Sequence, residues 1–431
     1  MATTGVLASS WITSQLVVDG LSNGLVIGLV AIGLVLVHRT TQVINFAVGA
    51  MGVVGATVLA LLVLQYGLSY WVALPLVLLL GTAWGTAVEL GVIRRLFDAP
   101  RVILLVATIG IAGLSVTLTQ LVPTPDGAFA ATYPVGITTV WDDLGGVRLT
   151  GAQLQIAVVV PLVAAALGWF LTATTIGKAV GASADNPRLA RTMGINPRFV
   201  STGVWATSGL LATLAMVLIS GQAQSVTGVA DLGPNIMLRA LAAFLVAGMA
   251  SFPRAMVAGV AIGVAEALVR FNFLSEAGLV DLGLFVAVLV AVWFQTRGAG
   301  DTTGGLGGFA PAVRPAPAAI ADRWWVRHLD TMTGVAALGG GVVLAVAVTS
   351  PSRLQLFATI AAFAICASSL TLLVGWAGQP SLGQMAFAGV GALVAAAAAR
   401  GAEATLGWGG RSWTFAAEPV PFVVAILLGA L

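Results

Sequence analysis

The sequence predicts an all-α fold, a polytopic transmembrane helical bundle made of two parallel repeats, the second incomplete. Three observations carry this. Of 431 residues, 59% are hydrophobic and only 8% charged, with a mean hydropathy of +1.03. A soluble domain carries about 25% charged residues, so this chain has too few to cover a surface facing water. The apolar residues also fall into runs of the length a helix needs to cross hydrocarbon, about 20 residues. Finally, a segment near the N-terminus recurs further along the chain. The 53 glycines fit the same class, because small residues let membrane helices approach closely.

Taken in order, the runs predict spans near 17–37, 43–65, 70–93, 104–122, 153–173, 199–219, 236–250, 255–272 and 278–296, then 332–350, 354–374, 383–399 and 420–431. The run 236–250 is short and reads as broken or re-entrant. Met1–Gly20 holds no Lys or Arg, so the first span lacks the positive flank of a cleaved signal and stays in the protein.

Orientation follows from the basic residues, which concentrate on the cytoplasmic side. With the N-terminus outside, the inner loops hold Arg39, Arg94, Arg95, Arg101, Lys178, Arg188, Arg191, Arg198, Arg254, Arg297, Arg314, Arg323 and Arg327. Arg148, Arg239, Arg270, Arg353, Arg400 and Arg411 remain outside or near outer ends. The net charge of +3 is small, and its placement is explained by topology, so nucleic acid is not an expected partner; membrane lipid is.

Segment 299–331 is rich in Gly, Pro and Ala, a composition that makes a flexible or extended linker. The chain therefore divides into a first membrane domain (1–298), a cytoplasmic linker (299–331) and a second membrane domain (332–431). A shift of 336 positions aligns Ala31–Ala56 with Ala367–Ala392, matching Leu34 to Leu370, Ala50 to Ala386 and Val54-Gly55-Ala56 to Val390-Gly391-Ala392. Each copy has an apolar span, a polar break and a Gly/Ala-rich span. Both breaks lie on the same side, so the repeats are parallel, and two such halves suggest a pseudo-twofold path through the membrane.

The inner loop 174–198 is the most informative stretch. Asn186 suits an N-cap, Pro187 the first helical position and Gly194 the residue past the end, which predicts a helix over Pro187–Met193. Helical spacing groups Leu189, Ala190 and Met193 on one side and Arg188 and Arg191 on the other. A short amphipathic helix of this kind can dock in a partner's groove, lie on lipid, or simply connect two spans.

The segments INFAVGAMGVVGA (Ile44–Ala56), ATIGIAGLSVTL (Ala107–Leu118), GKAVGASADNPRLARTMGIN (Gly177–Asn196) and GVAIGVAEALV (Gly259–Val269) resemble the LivH-type permease of branched-chain amino-acid ABC importers. LTLLVGWAGQPSLGQMAFAGVGA (Leu370–Ala392) resembles the LivM-type permease. The first resemblance covers roughly 15–298 and the second begins near 350. It implies that two permeases stand side by side, that cytoplasmic ABC ATPase subunits dock on loops like 174–198, and that an extracytoplasmic substrate-binding protein delivers the solute. It also implies that Asp185, Pro187, Leu189, Ala190, Met193, Gly194 and Ile195 form the ATPase-coupling element. The chain departs from the family's pattern at Val48 and Gln384, where histidines are usual, at Ala50, where Glu is common, and at Gly181, where Arg is common.

Candidates for the translocation path are Asn45, Ser381, Gln384 and Glu266. Asn45 and Ser381 sit beside the two breaks, where they either line the path or cap helix starts. Glu266 lies within a span, a functional position by default, yet Arg270 stands four residues on and can pair with it. Arg239 is a further charge inside a span. Glu89, a turn from Arg94 and Arg95, reads as an inner-end anchor. No phosphate-binding loop is present, since Gly177-Lys178 lacks the upstream glycine; ATP and magnesium are expected only in the partner ATPase, and no cofactor in this chain. Cys366 is the only cysteine, and His38 and His328 lie far apart, so no metal site is expected. Neither a nucleophile–base pair nor a carboxylate cluster suggests an enzyme. The alternatives are an ATP-independent secondary transporter or channel, and a non-transporting membrane interaction protein. The final run, 419–431, is too short to span, so the expectation is a piece of a longer fused protein with a second coupling loop beyond Leu431. The substrate class is a branched-chain amino acid or similar small polar solute.

Overall fold

The computed structural model describes residues 13–96, 99, 101–141, 147–249, 251–273 and 278–298, and further on 323, 324, 328, 331–332, 334–335, 339–343, 351–375, 383–408 and 411–430. The chain forms two compact units, Met1–Thr303 and Gly304–Leu431. Most of the linker segment and of the run 332–350, together with Ser381, lies outside the described residues.

The first unit is a helical bundle: α1 (Ser14–Thr41), α2 (Val48–Leu64), α3 (Tyr70–Val88), α4 (Arg101–Leu121), α5 (Gly151–Ala173), α6 (Thr175–Asp185), α7 (Pro187–Thr192), α8 (Pro197–Ala223), α9 (Val229–Val246), α10 (Phe252–Asn272) and α11 (Leu279–Gly298). A two-residue ladder, β1 (Val140–Trp141) with β2 (Leu149–Thr150), precedes α5. Eight described helices are long and apolar enough to cross a membrane, seven of them in this unit, where α2 and the stretch Leu279–Ala291 of α11 are shorter apolar helices. At 28 residues, α1 is about 42 Å long, enough for the whole hydrocarbon core. It is buried on every side from Val26 to Val37, so it is the axis of the unit rather than a lipid-facing helix.

Glycine makes this burial possible. Gly20, Gly24 and Gly28 form one stripe on α1 and meet Gly259 and Gly263 on α10; a Cβ added to Gly24 would stand 2.6 Å from Val260 Cα. Two small-xxx-small stripes thus let the backbones touch, where dispersion and Cα–H contacts replace the hydrophobic drive that lipid does not supply. Similarly, Gly81 and Gly85 of α3 meet Gly209 and the Trp205 carbonyl of α8, placing α8 beside α1 as the second central helix. Outward-facing Leu79, Leu80, Leu162, Trp169 and Val257 remain exposed, the pattern of a surface solvated by acyl chains.

The helix ends carrying the clustered arginines gather at one end of the unit, hereafter the inner end. There α3 continues as a π turn (Glu89–Ile93) and a 3-10 turn (Arg94–Leu96). Glu89 is 1% exposed; its carboxylate pairs with Arg94 at 3.2 Å and accepts from Thr202 Oγ1 at 2.9 Å. Its expected anchoring geometry is present. At the outer end, the connection between α4 and α5 is stapled to the bundle. Tyr133 donates to the Ala56 carbonyl at 2.7 Å, Gln155 donates to Tyr70 Oη at 2.7 Å, and Gln153 donates to Asp19 at 2.6 Å. Thr150 and Gln153 close a capping box at the start of α5.

One expectation needs correction, and two features go beyond the others. The run 236–250 is neither broken nor re-entrant: α9 is one continuous helix from Val229 to Val246, and Asp231, Pro234 and Asn235 masked its first two turns. Pro234, the sixth residue of α9, supplies no N–H to the Ala230 carbonyl four residues back, yet the helix runs on through it. Loop 174–198 contains α6 as well as the expected short helix. The fold class stands, but the second unit also carries a hairpin that the sequence reading did not foresee, β3 (Ala402–Trp408) paired antiparallel with β4 (Arg411–Ala417).

The second unit's described helices are α12 (Pro351–Gly375), α13 (Gln384–Arg400) and α14 (Phe422–Ala430), beside short helical stretches at 331–332, 334–335 and 339–343. Shifted by 336 positions, α2 (Val48–Leu64) falls on Gln384–Arg400, the bounds of α13. The same shift lays α1 over α12 to within two residues at each end.

Candidate functional site

The first region of interest is the inner-end segment between α5 and α8. Thr174 joins α5 to α6: its Oγ1 donates to the Phe170 carbonyl at 2.7 Å and accepts from Gly177 N–H at 3.0 Å. A Cβ on Gly177 would lie 2.3 Å from the Phe170 carbonyl oxygen, so only glycine lets α6 fold back onto the end of α5. Asn186 breaks α6 and caps α7, its Oδ1 accepting from Leu189 N–H at 3.0 Å. Gly194 closes α7 at φ +82°, and Ile195 N–H returns to the Ala190 carbonyl at 3.0 Å. Both ends of a six-residue helix are therefore fixed by side chain or turn geometry.

The expected apolar side of this helix divides. Ala190 is 3% exposed and packs inward, whereas Leu189 and Met193 are 56% and 75% exposed. The physical reason is α6: it turns α7 so that the Ala190 edge meets protein and the Leu189–Met193 edge does not. Asp185, at the end of α6, lies 4.0 Å from Arg39, whose guanidinium stands 5.8 Å from the centre of the Phe252 ring. That contact ties the segment to the inner ends of α1 and α10. Phe199, at the start of α8, adds a third large exposed apolar side chain, 76% exposed.

The second region is a cavity of about 420 Å³ among α1, α8, α9 and α10, toward the outer end. Glu266 is 5% exposed and held twice: Arg239 Nε donates to one carboxylate oxygen at 2.6 Å and Arg270 Nη2 to the other at 2.9 Å. Arg239 also donates to the Asn235 carbonyl at 2.9 Å. The expected i,i+4 pair with Arg270 is present. The cross-helix partner Arg239, 27 positions away, was not legible as a partner, although a charge within a span is itself a signal. Asn23 and Gln222 complete the polar lining, and Ile27, Ile219 and Ile236 form an apolar wall. Gln222 Nε2 donates to Ser22 at 3.2 Å, while Oε1 is buried without a partner among the described residues.

Of the other path candidates, Asn45 is fully buried and accepts from Ala47 N–H at 3.0 Å. It caps the turn into α2 and lines no described cavity. Gln384 donates to Ser369 Oγ at 2.7 Å, bracing α13 against α12. Ser381 lies outside the described residues. A larger cavity near the inner end, about 620 Å³ between α1, α5, α6 and α10, is walled mainly by aliphatic groups, with Arg39 and Thr40 among its few polar side chains.

Membrane-length helices around a charged internal cavity, with a rigid short helix presented at the inner end, define the membrane domain of a transporter. The chain belongs to the family of branched-chain amino acid transport system permease components, whose model matches residues 16–293. Among curated relatives, it is 30% identical over 277 residues to a probable branched-chain amino acid transport permease protein LivH of Methanocaldococcus jannaschii, covering 61% of this chain and 84% of that protein. It is 27% identical over 290 residues to the high-affinity branched-chain amino acid transport system permease protein BraD of Pseudomonas aeruginosa, with 64% and 92% covered. LivH of Escherichia coli is 26% identical over 291 residues, with 64% and 93% covered. No solved structure matches. The protein is thus a LivH-type ABC transport permease and a multi-pass protein of the bacterial inner membrane.

Proposed function

We propose that this chain forms the membrane path of an ATP-driven importer of branched-chain amino acids, powered by separate cytoplasmic ATPase subunits that dock on the α6–α7 segment. The observation that carries this reading is α7: a helix capped at both ends, with Ala190 packed inward and Leu189 and Met193 exposed beside each other at i and i+4. An exposed apolar pair on a rigid mount fits a groove in a partner. Leu189 and Met193 enter the groove, Ala190, Pro187, Gly194 and Ile195 fix the mount, and Asp185 ties it to Arg39. ATP and magnesium belong to the partner, and an extracytoplasmic binding protein delivers the solute to the outer end. Because Glu89 and Glu266 are both paired with arginine, neither is a free carboxylate for proton or cation coupling, which gives an ATP-independent carrier less support.

The reading extends to the second unit. Residues 332–431 belong to a LivM-like permease domain, joined to the LivH-like domain (1–298) by the linker 299–331; the coincidence of α2 and α13 at the 336-residue shift supports this. In the test, Met193→Asp is introduced into the full chain in cells carrying the complete importer. ATP-dependent leucine uptake and ATPase co-purification are each expected to fall about tenfold or more, with membrane levels unchanged. Full retention of both would overturn the docking role.

A further inference from the structure

The cavity around Glu266 is a second site, and nothing in the family match or the relatives' names assigns it. Its charge balance is the starting point. Two guanidiniums, Arg239 and Arg270, face one carboxylate, Glu266, within the helical bundle. The nearest other acid on α9, Asp231, is exposed at the helix start and does not line the cavity. One positive charge is therefore left over among the lining residues, and Arg270, in the last turn of α10 toward the outer end, is placed to carry it. Arg239 is 13% exposed, committed to Glu266 and to the Asn235 carbonyl, whereas Arg270 is 64% exposed. The surplus charge thus resides on an accessible fork, the geometry that grips a carboxylate through two parallel hydrogen bonds.

The remainder of the lining fits the rest of a small zwitterion. Asn23, half-buried in the lining, carries an amide oxygen able to accept from an ammonium. Ile27, Ile219 and Ile236 offer an aliphatic wall. The volume of about 420 Å³ is within the ordinary range for small-ligand sites. A polar groove of this kind is also an improbable lipid face, since its open side would leave charged groups against acyl chains.

The geometry points to this cavity as a transit site in which Arg270 receives the carboxylate of an aliphatic α-amino acid, with Arg239 and Glu266 positioning that guanidinium and Asn23 offering an acceptor to the ammonium. The inference rests on the importer reading and adds to it a solute contact inside the permease, independent of the binding protein. Glu266 belongs to the positioning group because it fixes both arginines without need of touching the solute.

The test is saturable binding of labelled L-leucine to the purified full chain in lipid nanodiscs, without binding protein or nucleotide, up to roughly 10 mM, since a transit site need hold its solute only weakly. Leucine is expected to displace the label, leucinamide, which lacks the carboxylate, to compete at least about tenfold more weakly, and 4-methylpentanoate to compete better than leucinamide. Arg270→Gln is expected to weaken binding about tenfold, and Arg270→Lys to restore part of it. Arg270 is the safer variant because its side chain is largely exposed; Glu266→Gln provides the second, and is expected to weaken leucine binding without changing the preference over leucinamide. No saturable binding in the wild type, equal competition by leucinamide, or unchanged binding in Arg270→Gln would each overturn the site. If ATP-dependent uptake persists in that case, the importer reading stands; if a complete system shows no ATP-dependent uptake, the importer reading falls instead.

Discussion

α1 and α12 fall on one another at the 336-residue shift yet live in different surroundings. In the most apolar stretch of α1, 89% of residues are buried, against none in the corresponding stretch of α12. The alignment supplies the reason. Gly20, Gly24 and Gly28, which let α1 touch α10, become Leu356, Ile360 and Ala364 at the 336-residue shift. Two of these, Leu356 and Ile360, are 58% and 53% exposed. A glycine stripe admits another backbone; a Leu–Ile ridge presents side chains to lipid or to a partner's groove. Equivalent helices can thus keep their bounds while exchanging an inside face for an outside one, because in a membrane residue size rather than polarity decides what packs.

The largest effect follows from exchanging those faces. Gly24→Ile places branched carbons where a bare Cβ already stands 2.6 Å from Val260 Cα, and is expected to destabilise the first unit by about 3 kcal/mol. The mirror change, Ile360→Gly, is expected to cost about 1 kcal/mol, the helix propensity of glycine alone. Thermal denaturation of the purified variants in detergent checks both. Equal losses would show that α12 has a tightly packed partner on that face and would break the contrast.

A smaller effect separates α2 from α13. α2 is held at its midpoint from a distant loop by the Tyr133 bond to the Ala56 carbonyl. α13 is held near its end by the chain leaving the hairpin, where Val420 N–H donates to the Ala398 carbonyl at 2.9 Å. Tyr133→Phe is expected to cost about 1 kcal/mol, read as faster hydrogen exchange in residues 122–150. Burial, aided by the neighbouring Tyr70, pushes the Tyr133 phenol well above its usual value near 10.0. The sign follows: below pH 10 the phenol is neutral whether folded or unfolded and its bond is intact. Above that pH only the unfolded chain ionises freely, so stability is lost as pH rises toward the folded value. The Phe variant should lack that alkaline loss.

How much was readable in advance divides along physical lines. Hydropathy marks the long spans because the bilayer fixes their length, and the short-helix signals at Asn186, Pro187 and Gly194 are local, so caps and turn were legible from neighbouring residues alone. The direction of α7 was not: whether Leu189 or Ala190 faces inward depends on α6, whose glycines and polar residues resemble a loop. The Arg239–Glu266 pair was hidden because it joins two helices 27 positions apart, and one sequence records no pairing between elements. Asn45 was ambiguous between path and cap, since the same amide serves either until the Ala47 N–H is seen beneath it. β3 and β4 went unread because short Ala-, Gly- and Trp-containing segments lack a firm alternation of apolar and polar residues.

That hairpin yields the smallest predicted effect and the sharpest test of the repeat. Between α2 and α3 the chain uses five residues, Gln65–Ser69, turning through Gly67 at φ +67°. Between α13 and α14 it uses Gly401, at φ +76°, then the hairpin Ala402–Ala417, then Glu418–Pro421. Excising Ala402–Ala417 leaves Gly401 joined to Glu418–Pro421, again five residues with a left-handed glycine in the turn. If the hairpin is an insertion into a shared helix–turn–helix, its removal should leave α13 and α14 packed through Gly391 and Gly429, whose backbones lie in close contact, and shift stability by no more than about 0.5 kcal/mol, as expected where loop length changes but packing does not. Amide hydrogen exchange in residues 384–400 and 422–430 reads that packing: protection should be the same with and without the hairpin. Loss of protection only after excision would mean that the strands hold α13 and α14 together, and that this part of the second unit is built differently from α2 and α3.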